Sequence, residues 1–516
     1  MSKKKSPPVI GIDLGTTFSV VAKLDERGQP VSLVNAEGDR VTPSVVLFEG
    51  DDVIVGKEAL KAMATEMDSV AECSKRDMGH RVFRKVFNGK QYPPEVIEAW
   101  ILNKLRADTE AQVGPFEQAV ITVPAYFDEV RRKATQDAGY MAGIEVLDII
   151  NEPTAAAVAF GFQQGFLNEE GSSTEPRRIL VYDLGGGTFD VTVTEIRGSE
   201  FIALATDGDV QLGGYDWDQR LVDLVAEQFI REHYVDPRDD PATWGRLWRE
   251  CEDAKRTLSA RQKATVACEF QGHAARVEIS RQQFEEATQD LLDRTRFTSE
   301  QTLRNAGLEW ADVERVLLVG GSTRMPMVRK MLRELSGKEP DASVAADEAV
   351  AHGAALRAGL LMARAEGKAS AFKIRNVNSH SLGVVGMDPL TKRKRNGTVI
   401  PRNTRLPITA KRTFRTSKPG QRSILVRIVE GESPAAEECS QLGRCSVRDL
   451  PPDLPAGSPI EVAFHYKTDG RLKVRVSVPG TERFVESEIV RENSLGKEHL
   501  DGWRQYICGK EPTDYR

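Results

Sequence analysis

Cysteine and histidine are scarce in this chain, six and seven among 516 residues. None of Cys73, Cys251, Cys268, Cys439, Cys445 and Cys508 forms a Cys-x-x-Cys pair, so reduced thiols are expected rather than a disulfide framework. The histidines lack the spacing of zinc ligands, and no zinc site is expected. No stretch reaches the roughly eighteen apolar residues that span a bilayer. The basic start, Met1 to Pro8, leads into a strand pattern rather than a signal-peptide apolar region. It is expected to be a short disordered tail on a cytoplasmic protein. A dominant charge is missing too: 71 Lys and Arg against 77 Asp and Glu leave a net of −6 without an obvious single-sign block. Neither nucleic acid nor an anionic membrane is therefore implied as a partner.

Glycine-rich turns, in contrast, are prominent. Val9-Ile10-Gly11-Ile12-Asp13-Leu14-Gly15-Thr16-Thr17-Phe18 and Ile179-Leu180-Val181-Tyr182-Asp183-Leu184-Gly185-Gly186-Gly187-Thr188-Phe189 share one design. Each is an apolar β-branched run, an Asp, a Gly/Thr turn and a second apolar run, the pattern of two strands joined by a tight turn. Successive N–H groups in such a turn form an anion-binding nest, and the hydroxyls of Thr16, Thr17 and Thr188 add donors. Asp13 and Asp183 at the strand ends suit a hydrated Mg²⁺, which takes few carboxylates and keeps its waters. The two Asp lie 170 positions apart. A duplicated domain with a phosphate-binding cleft between its halves follows.

Length allows about three or four domains at roughly 150 residues each. Up to about residue 365, β-like runs alternate with helical patterns, which argues for α/β layering. Ala119 to Pro124 reads as a buried strand, Asp128 as the cap of a helix over Glu129 to Ala142, and Asn151 to Gly161 as a helix with proline in its first turn. Glu152 then sits where strand becomes helix. Val316 to Pro326 is another strand, glycine turn and helix start, a ready site for a polar ligand. Beyond Lys368, short β segments take over at Ser423 to Val429, Ile460 to Tyr466 and Leu472 to Val478, the texture of a small antiparallel β domain. The expected division is a tail over 1–8, an α/β domain over 9–365, a linker over 366–376, a β domain over 377–484, and one short helix within 485–516.

With Asn151-Glu152-Pro153-Thr154, Gly213-Gly214-Tyr215-Asp216, the stretch Cys251 to Ser259, Gly320-Gly321-Ser322-Thr323-Arg324 and Asp347 to Ala355 added in this order, the chain resembles the 70-kilodalton heat-shock (DnaK-like) chaperone family. The resemblance covers Val9 to about Leu361 and continues more weakly to about Gly480. It implies an actin-like, duplicated ribonuclease-H-like ATPase domain followed by an antiparallel β-sandwich that binds extended apolar peptides. Carried onto this chain, Gly15, Thr16, Thr17, Gly185, Gly186, Gly187 and Thr188 would cradle the phosphates of ATP or ADP. Asp13 and Asp183 would flank hydrated Mg²⁺, with K⁺ as a further candidate ion. Asp13, Glu152, Asp183 and Thr188 form the implied catalytic group. Glu252 and Lys255 would hold the ribose and Arg256 and Arg324 sandwich the adenine, with Gly214, Ser259, Gly320, Gly321, Ser322 and Asp347 completing the pocket. On spacing alone, the helix bearing Glu252 to Ser259 would pass for a charged, solvated face. Implied partners are unfolded apolar peptides, a J-domain co-chaperone and a nucleotide-exchange factor, acting on a monomer.

Several positions depart from the family pattern. A lysine is expected five residues after the Val of a Val-Gly pair, yet Val55-Gly56 is followed by Leu60, with Lys57 and Lys61 as substitutes. Losing that cation would slow hydrolysis. Asp148 stands where an arginine used in co-chaperone docking is expected, which predicts weakened or charge-altered docking. The linker, Ala371-Phe372-Lys373-Ile374-Arg375-Asn376-Val377, lacks a leucine row but can add a strand to a sheet edge. A helical lid is expected to be missing, with rapid peptide exchange as the consequence. Two alternatives remain: an ATP-binding interaction module with little turnover, and a sugar or small-molecule kinase on the same fold.

Overall fold

The two repeated phrases fold as the central hairpins of two separate sheets in the computed structural model, which describes residues 8–166, 175–368, 372–388, 390–467, 472–488 and 495–509. In the first half, the strand Ile10–Asp13 pairs antiparallel with Phe18–Leu24 and parallel with Gln118–Val123, which in turn pairs parallel with Glu145–Asn151. In the second, Arg177–Leu184 pairs antiparallel with Phe189–Arg197 and parallel with Arg315–Val319. Each central strand thus has its hairpin partner on one side and a parallel crossover strand on the other. A shared topology carries Asp13 and Asp183 to equivalent strand ends, facing one another across a cleft.

The central strands are apolar on both faces, as fully covered parallel strands must be. Ile10, Ile12, Leu180, Val181 and Tyr182 are all inaccessible to solvent. Two alanine-rich helices, Glu152–Gln163 and Ala349–Ala365, pack against each other between the sheets. A Cβ on Gly353 would stand 1.9 Å from the Ala155 carbonyl oxygen, so only glycine permits this approach. The first of these helices has proline in its first turn and runs past Gly161, where a stop was expected, to Gln163. A Cβ on Gly161 would meet the Phe201 ring at 2.5 Å, so this glycine serves packing rather than termination. Asp128 caps the helix Glu129–Met141 by accepting from the Arg131 N–H.

The segment after residue 372 begins with the strand Lys373–Arg375, which adds in parallel to the edge strand Glu200–Asp209. Two four-stranded antiparallel sheets follow. One is ordered Lys394–Ile400, Leu382–Met387, Ile424–Glu430, Ser440–Val447; the other Ile408–Arg415, Pro459–Tyr466, Leu472–Ser477, Phe484–Glu488. Alternation is regular, as in buried Ile424, Val426 and Ile428 against exposed Leu425 and Arg427. The inward side chains of both sheets, among them Val462, Phe464, Val474 and Val476, make one core. This unit sits against the α/β part: His380 Nε2 donates to the Tyr126 carbonyl at 2.9 Å, Arg402 pairs with Asp207 at 2.6 Å, and Thr206 N–H donates to Asn403 at 3.0 Å.

The last helix, Lys497–Gly509, does not pack on the β sheets. It lies on the helices Pro94–Val113 and Glu129–Met141, with Ile507 fully buried and Trp503 and Tyr506 against Tyr92 and Trp100. All six cysteines are free thiols, Cys439 and Cys445 included. The residues 1–7 of the expected tail and 369–371 of the expected linker lie outside the described residues. No helix among the described residues is long and apolar enough to cross a membrane.

Candidate functional site

Between the two hairpin turns lies a cleft of about 570 Å³. Asp13, Gly15, Thr16, Thr17, Glu152, Asp183, Gly185, Gly186, Thr188, Glu252, Lys255, Arg256, Ser259, Gly320, Gly321, Ser322, Arg324 and Asp347 all line it. Gly187 and Gly214, the remaining expected members, stand behind the lining. Gly187 turns its carbonyl to the Arg76 Nε at 2.7 Å, and the Gly214 carbonyl accepts from Lys255 at 2.9 Å. The turns are too crowded for side chains: a Cβ on Gly186 would lie 2.2 Å from Thr17 Oγ1, and one on Gly187 2.2 Å from Thr16 Cγ2. Backbone is thus left as the wall of this end of the cleft.

One expectation is overturned at this end. Leu60 is not the counterpart of a lysine at the cleft. It belongs to the helix Lys57–Ala62, packs against an apolar cluster that joins Ala59 and Met63 to residues of the second half, and its carbonyl accepts from Arg249. Lys57 and Lys61 do not substitute for it either; they pair on the surface with Asp39 at 2.9 Å and Glu58 at 2.7 Å. The lysine beside Asp13 and Glu152 in the cleft is Lys75, in a short 3-10 turn, Ser74–Asp77, that follows Cys73 in left-handed conformation. Its ammonium donates to Glu152 Oε1 at 2.6 Å and to the Leu14 carbonyl. Only 2 % of it is exposed. Burial alone would pull this ammonium down, but the carboxylates of Glu152 and Asp13 outweigh that and hold it above its ordinary value. Slow hydrolysis, as argued from Leu60, loses its premise.

Sequence reasoning missed Lys75 because it lies in an irregular stretch with neither helical nor strand period. Its one signal is a pair of adjacent cations, Lys75-Arg76, directly after the apolar strand Val70–Glu72. Arg76, equally unforeseen, is buried and pairs with Asp216 at 2.5 Å while its ring-facing side lies over Tyr215. Consecutive cations therefore hold opposite halves: Lys75 ties Leu14 to Glu152, and Arg76 ties the turn at Gly187 to the helix Gly214–His233. Tyr215 and Asp218 are further unforeseen lining residues.

The electrostatics at the phosphate end favour a cation. Asp13 is pushed up to about 7, first by desolvation and then by Glu152, while Thr122 donates to it at 2.9 Å. Desolvation, with Glu152 and Asp190 next, holds Asp183 well above the usual carboxylate range. Such carboxylates converge on excess negative charge, and a positive ion answers it. Among the described residues, no three His, Cys, Asp or Glu stand close enough to chelate a metal directly. Asp13 and Asp183 are the residues that would hold a hydrated Mg²⁺ through its waters. At the other end, the helix Pro241–Ala260 buries Leu247, Trp248, Cys251, Ala254 and Leu258 and turns Glu252, Lys255, Arg256 and Ser259 to the cleft. Arg256 pairs with Glu252 at 2.6 Å and Arg324 with Asp347 at 2.5 Å, so two guanidiniums stand at the cleft mouth already oriented.

Comparison with known proteins agrees with this geometry. The family model described as "Hsp70 protein" matches residues 9–88 and 80–505. The chain is 39% identical over 510 residues to the protein named "Chaperone protein DnaK" of Thermotoga neapolitana, covering 97% of this chain and 83% of that one. To a protein of the same name from Thermus thermophilus it is 41% identical over 523 residues, covering 95% and 82%. The chain belongs to the Hsp70 family and is an Hsp70-type chaperone.

Proposed function

We propose that the chain binds ATP in the cleft, hydrolyses it, and uses the exchange of ATP for ADP to regulate binding of extended apolar peptide segments by the β part. On this reading the α/β part is an actin-like ATPase domain and the paired β sheets are a peptide-binding sandwich. The observation that carries it is Lys75, buried between Glu152 and the Asp13 turn. A fixed cation at the phosphate end is what phosphoryl transfer demands, since that chemistry depends on positioning and electrostatic stabilisation more than on covalent help.

The roles follow from position. The turns Gly15 to Thr17 and Gly185 to Thr188 would hold the phosphates, the Gly15 and Gly185 N–H groups shaping the turns by donating to Ser19 Oγ and the Thr188 carbonyl, and Asp13 and Asp183 would hold hydrated Mg²⁺, which neutralises phosphate charge when bound. Lys75 would meet the γ-phosphate while Glu152 orients water. Glu252 and Lys255 would take the ribose and Arg256 and Arg324 the adenine, a planar stacking task suited to guanidinium. A cytoplasmic location and regulation by co-chaperones belong to the same reading. Asp148 bears on the second: it is nearly buried and paired with Arg357 at 2.7 Å, so a positive co-chaperone contact there would have to compete with that pair. Weak stimulation by a conventional J-domain protein is expected.

The test combines phosphate release with peptide affinity. Purified protein should release phosphate from ATP without any acceptor, and a fluorescent apolar heptapeptide should bind differently in ATP and in ADP. Turnover without any nucleotide effect on peptide affinity would refute the chaperone reading, and a requirement for a sugar acceptor would favour the kinase alternative.

A further inference from the structure

The even charge of the whole chain conceals an opposition between its parts. Residues 373–488 carry 21 Lys and Arg against 12 Asp and Glu, a net of +9, while the rest of the chain carries −15. The basic groups concentrate at one end of the paired sheets. Lys392, Arg393, Lys394 and Arg395 are consecutive and exposed, and so are Arg412 and Arg415 on the strand Ile408–Arg415 and Lys418 and Arg422 after it. Two apolar side chains stand among them, Leu390 at 92% and Met387 at 60% exposure.

This end faces away from the ATPase part. The contacts to that part involve His380, Arg402 and Asn403, whereas Lys394 begins the strand that ends at Ile400. Seven residues at about 3.3 Å each put the cluster roughly 20 Å from that interface, beyond a Debye length at physiological salt. Intramolecular docking therefore does not consume this charge. Exposed Asp449 and Asp453 lie on the segment bonded to the Arg422 and Gly420 loop; beside Lys392 to Arg395, Asp388 pairs with Arg395 at 3.6 Å and spends its carboxylate mainly on the amides of Leu390 and Thr391, at 2.9 and 2.8 Å. Those bonds also fix the turn that presents Leu390. Arg412 donates to the Thr398 carbonyl and lies 5.9 Å from the Phe414 ring, so its charge is held beside the same strand.

We propose that this tip selects extended peptide segments in which an apolar side chain is flanked by Asp or Glu, the apolar group meeting Leu390 and Met387 and the acidic flanks meeting Lys392 to Lys394 and Arg412. The inference rests on peptide binding by the β part and names its substrate class. Aliphatic side chains set within the charge favour a peptide over a nucleic acid, whose bases are held on aromatic platforms.

The experiment measures fluorescence anisotropy of three labelled peptides with one apolar core and acidic, neutral or basic flanks, using the full chain in ADP at low and at 0.5 M-scale salt. Exposed charge contacts are individually weak, and three or four of them together should favour acidic over basic flanks by about tenfold, with the preference shrinking as salt rises. The variant Lys392→Glu/Arg393→Glu/Lys394→Glu changes exposed side chains only; it should keep the wild-type melting temperature and reverse the preference while neutral-flank affinity stays within about twofold. Equal affinity for all three flanks, or a reversal absent in the variant, overturns the inference and leaves peptide binding standing. Failure to bind any of the three removes both. Tighter binding of duplex DNA or phosphatidylserine vesicles than of the acidic peptide, or self-association abolished by the triple change, overturns the peptide assignment in favour of that occupant.

Discussion

Replacement of Lys75 by Met separates the lysine identified at the cleft from the surface position that sequence pattern favoured. Methionine fills much of the same volume but leaves Glu152 and Asp13 without their cation. Removing one partner of a buried charge pair typically costs about 3–5 kcal/mol of stability, and Lys75 is 2 % exposed against 8 % for Glu152, so the upper part of that range applies. The catalytic loss is separate. An electrostatic donor preorganised at the site of developing charge contributes about 10²–10³ in kcat, or roughly 2.7–4 kcal/mol. On the proposed reading the backbone turns would supply most of the remaining phosphate contacts, so ATP affinity should fall far less than turnover does.

The assay is single-turnover ATP hydrolysis, with calorimetric ATP affinity and a melting curve on the same preparations to keep unfolding apart from chemistry. Leu60→Lys is the companion variant. Its helix lies away from the cleft, and an ammonium at that half-buried position can reach solvent along its own stem. It should leave turnover unchanged. Lys75→Met turning over within about threefold of the parent protein, or Leu60→Lys turning over faster than the parent, would refute the assignment of Lys75.

Domain docking should depend on pH through Glu430. Burial, then the charges of Asp128 and Glu129, hold this carboxyl well above its usual range, while the Glu129 N–H, at 3.2 Å, and Arg132 oppose the shift; the Tyr466 hydroxyl, itself held up by burial, donates to Glu129 beside it. An acid raised in the docked form favours docking at low pH and loses that contribution as pH rises above its free value near 4.5. Interdomain energy transfer should therefore fall as pH rises above about 4.5 in the parent and stay flat in Glu430→Gln; equal slopes would exclude Glu430. Gly213→Ala should lower nucleotide affinity at least about tenfold with a stability cost of roughly 1–3 kcal/mol, because its Cβ would stand 2.6 Å from the Gly187 backbone on a turn that cannot yield. Calorimetry reads it, and unaltered affinity would show the turn to be soft. Ile507→Ala should free the helix Lys497–Gly509 rather than unfold the protein: a helix of 13 residues is marginal by itself, so hydrogen exchange over it should rise sharply while the main melting transition moves little.

The duplicated hairpins were legible because the signal is local and repeated: strand period, Asp at the strand end and glycines in the turn all point to one structure. The cap at Asp128 and the alternation of Ile424 to Ile428 were legible for the same reason. Lys75 was not, since its function depends on a turn whose position no periodicity fixes, and on contacts with Leu14 and Glu152 that are 61 and 77 residues away. The register fixed on Val55-Gly56 instead led to Leu60, which shares local sequence context with a catalytic position but sits on the wrong helix. The basic tip was hidden by averaging, as the α/β part cancels its charge in any whole-chain sum.

The deeper consequence of the geometry concerns what one loop must satisfy. The stretch between the strand Gln118–Val123 and the helix Glu129–Met141 is held from the nucleotide side, where Tyr126 N–H donates to Asp190 at 2.9 Å, just beyond the Gly185 to Thr188 turn. The same residue is held from the other side, where its carbonyl accepts from His380 and its ring lies 4.3 Å from the His380 ring. Arg132 further ties Ala125 and Asn151, the residue before Glu152, to this loop. Any displacement of the second turn relative to Glu152, which is what a nucleotide between Thr16 and Thr188 would bias, must therefore either move Tyr126 or break its bond to Asp190. If Tyr126 moves, the His380 contact changes with it. On the proposed reading, and because linkage is reciprocal, a peptide that drew the β part away from a moved Tyr126 would alter nucleotide affinity by the same factor, so the loop at Tyr126 is where the two ligands would be coupled.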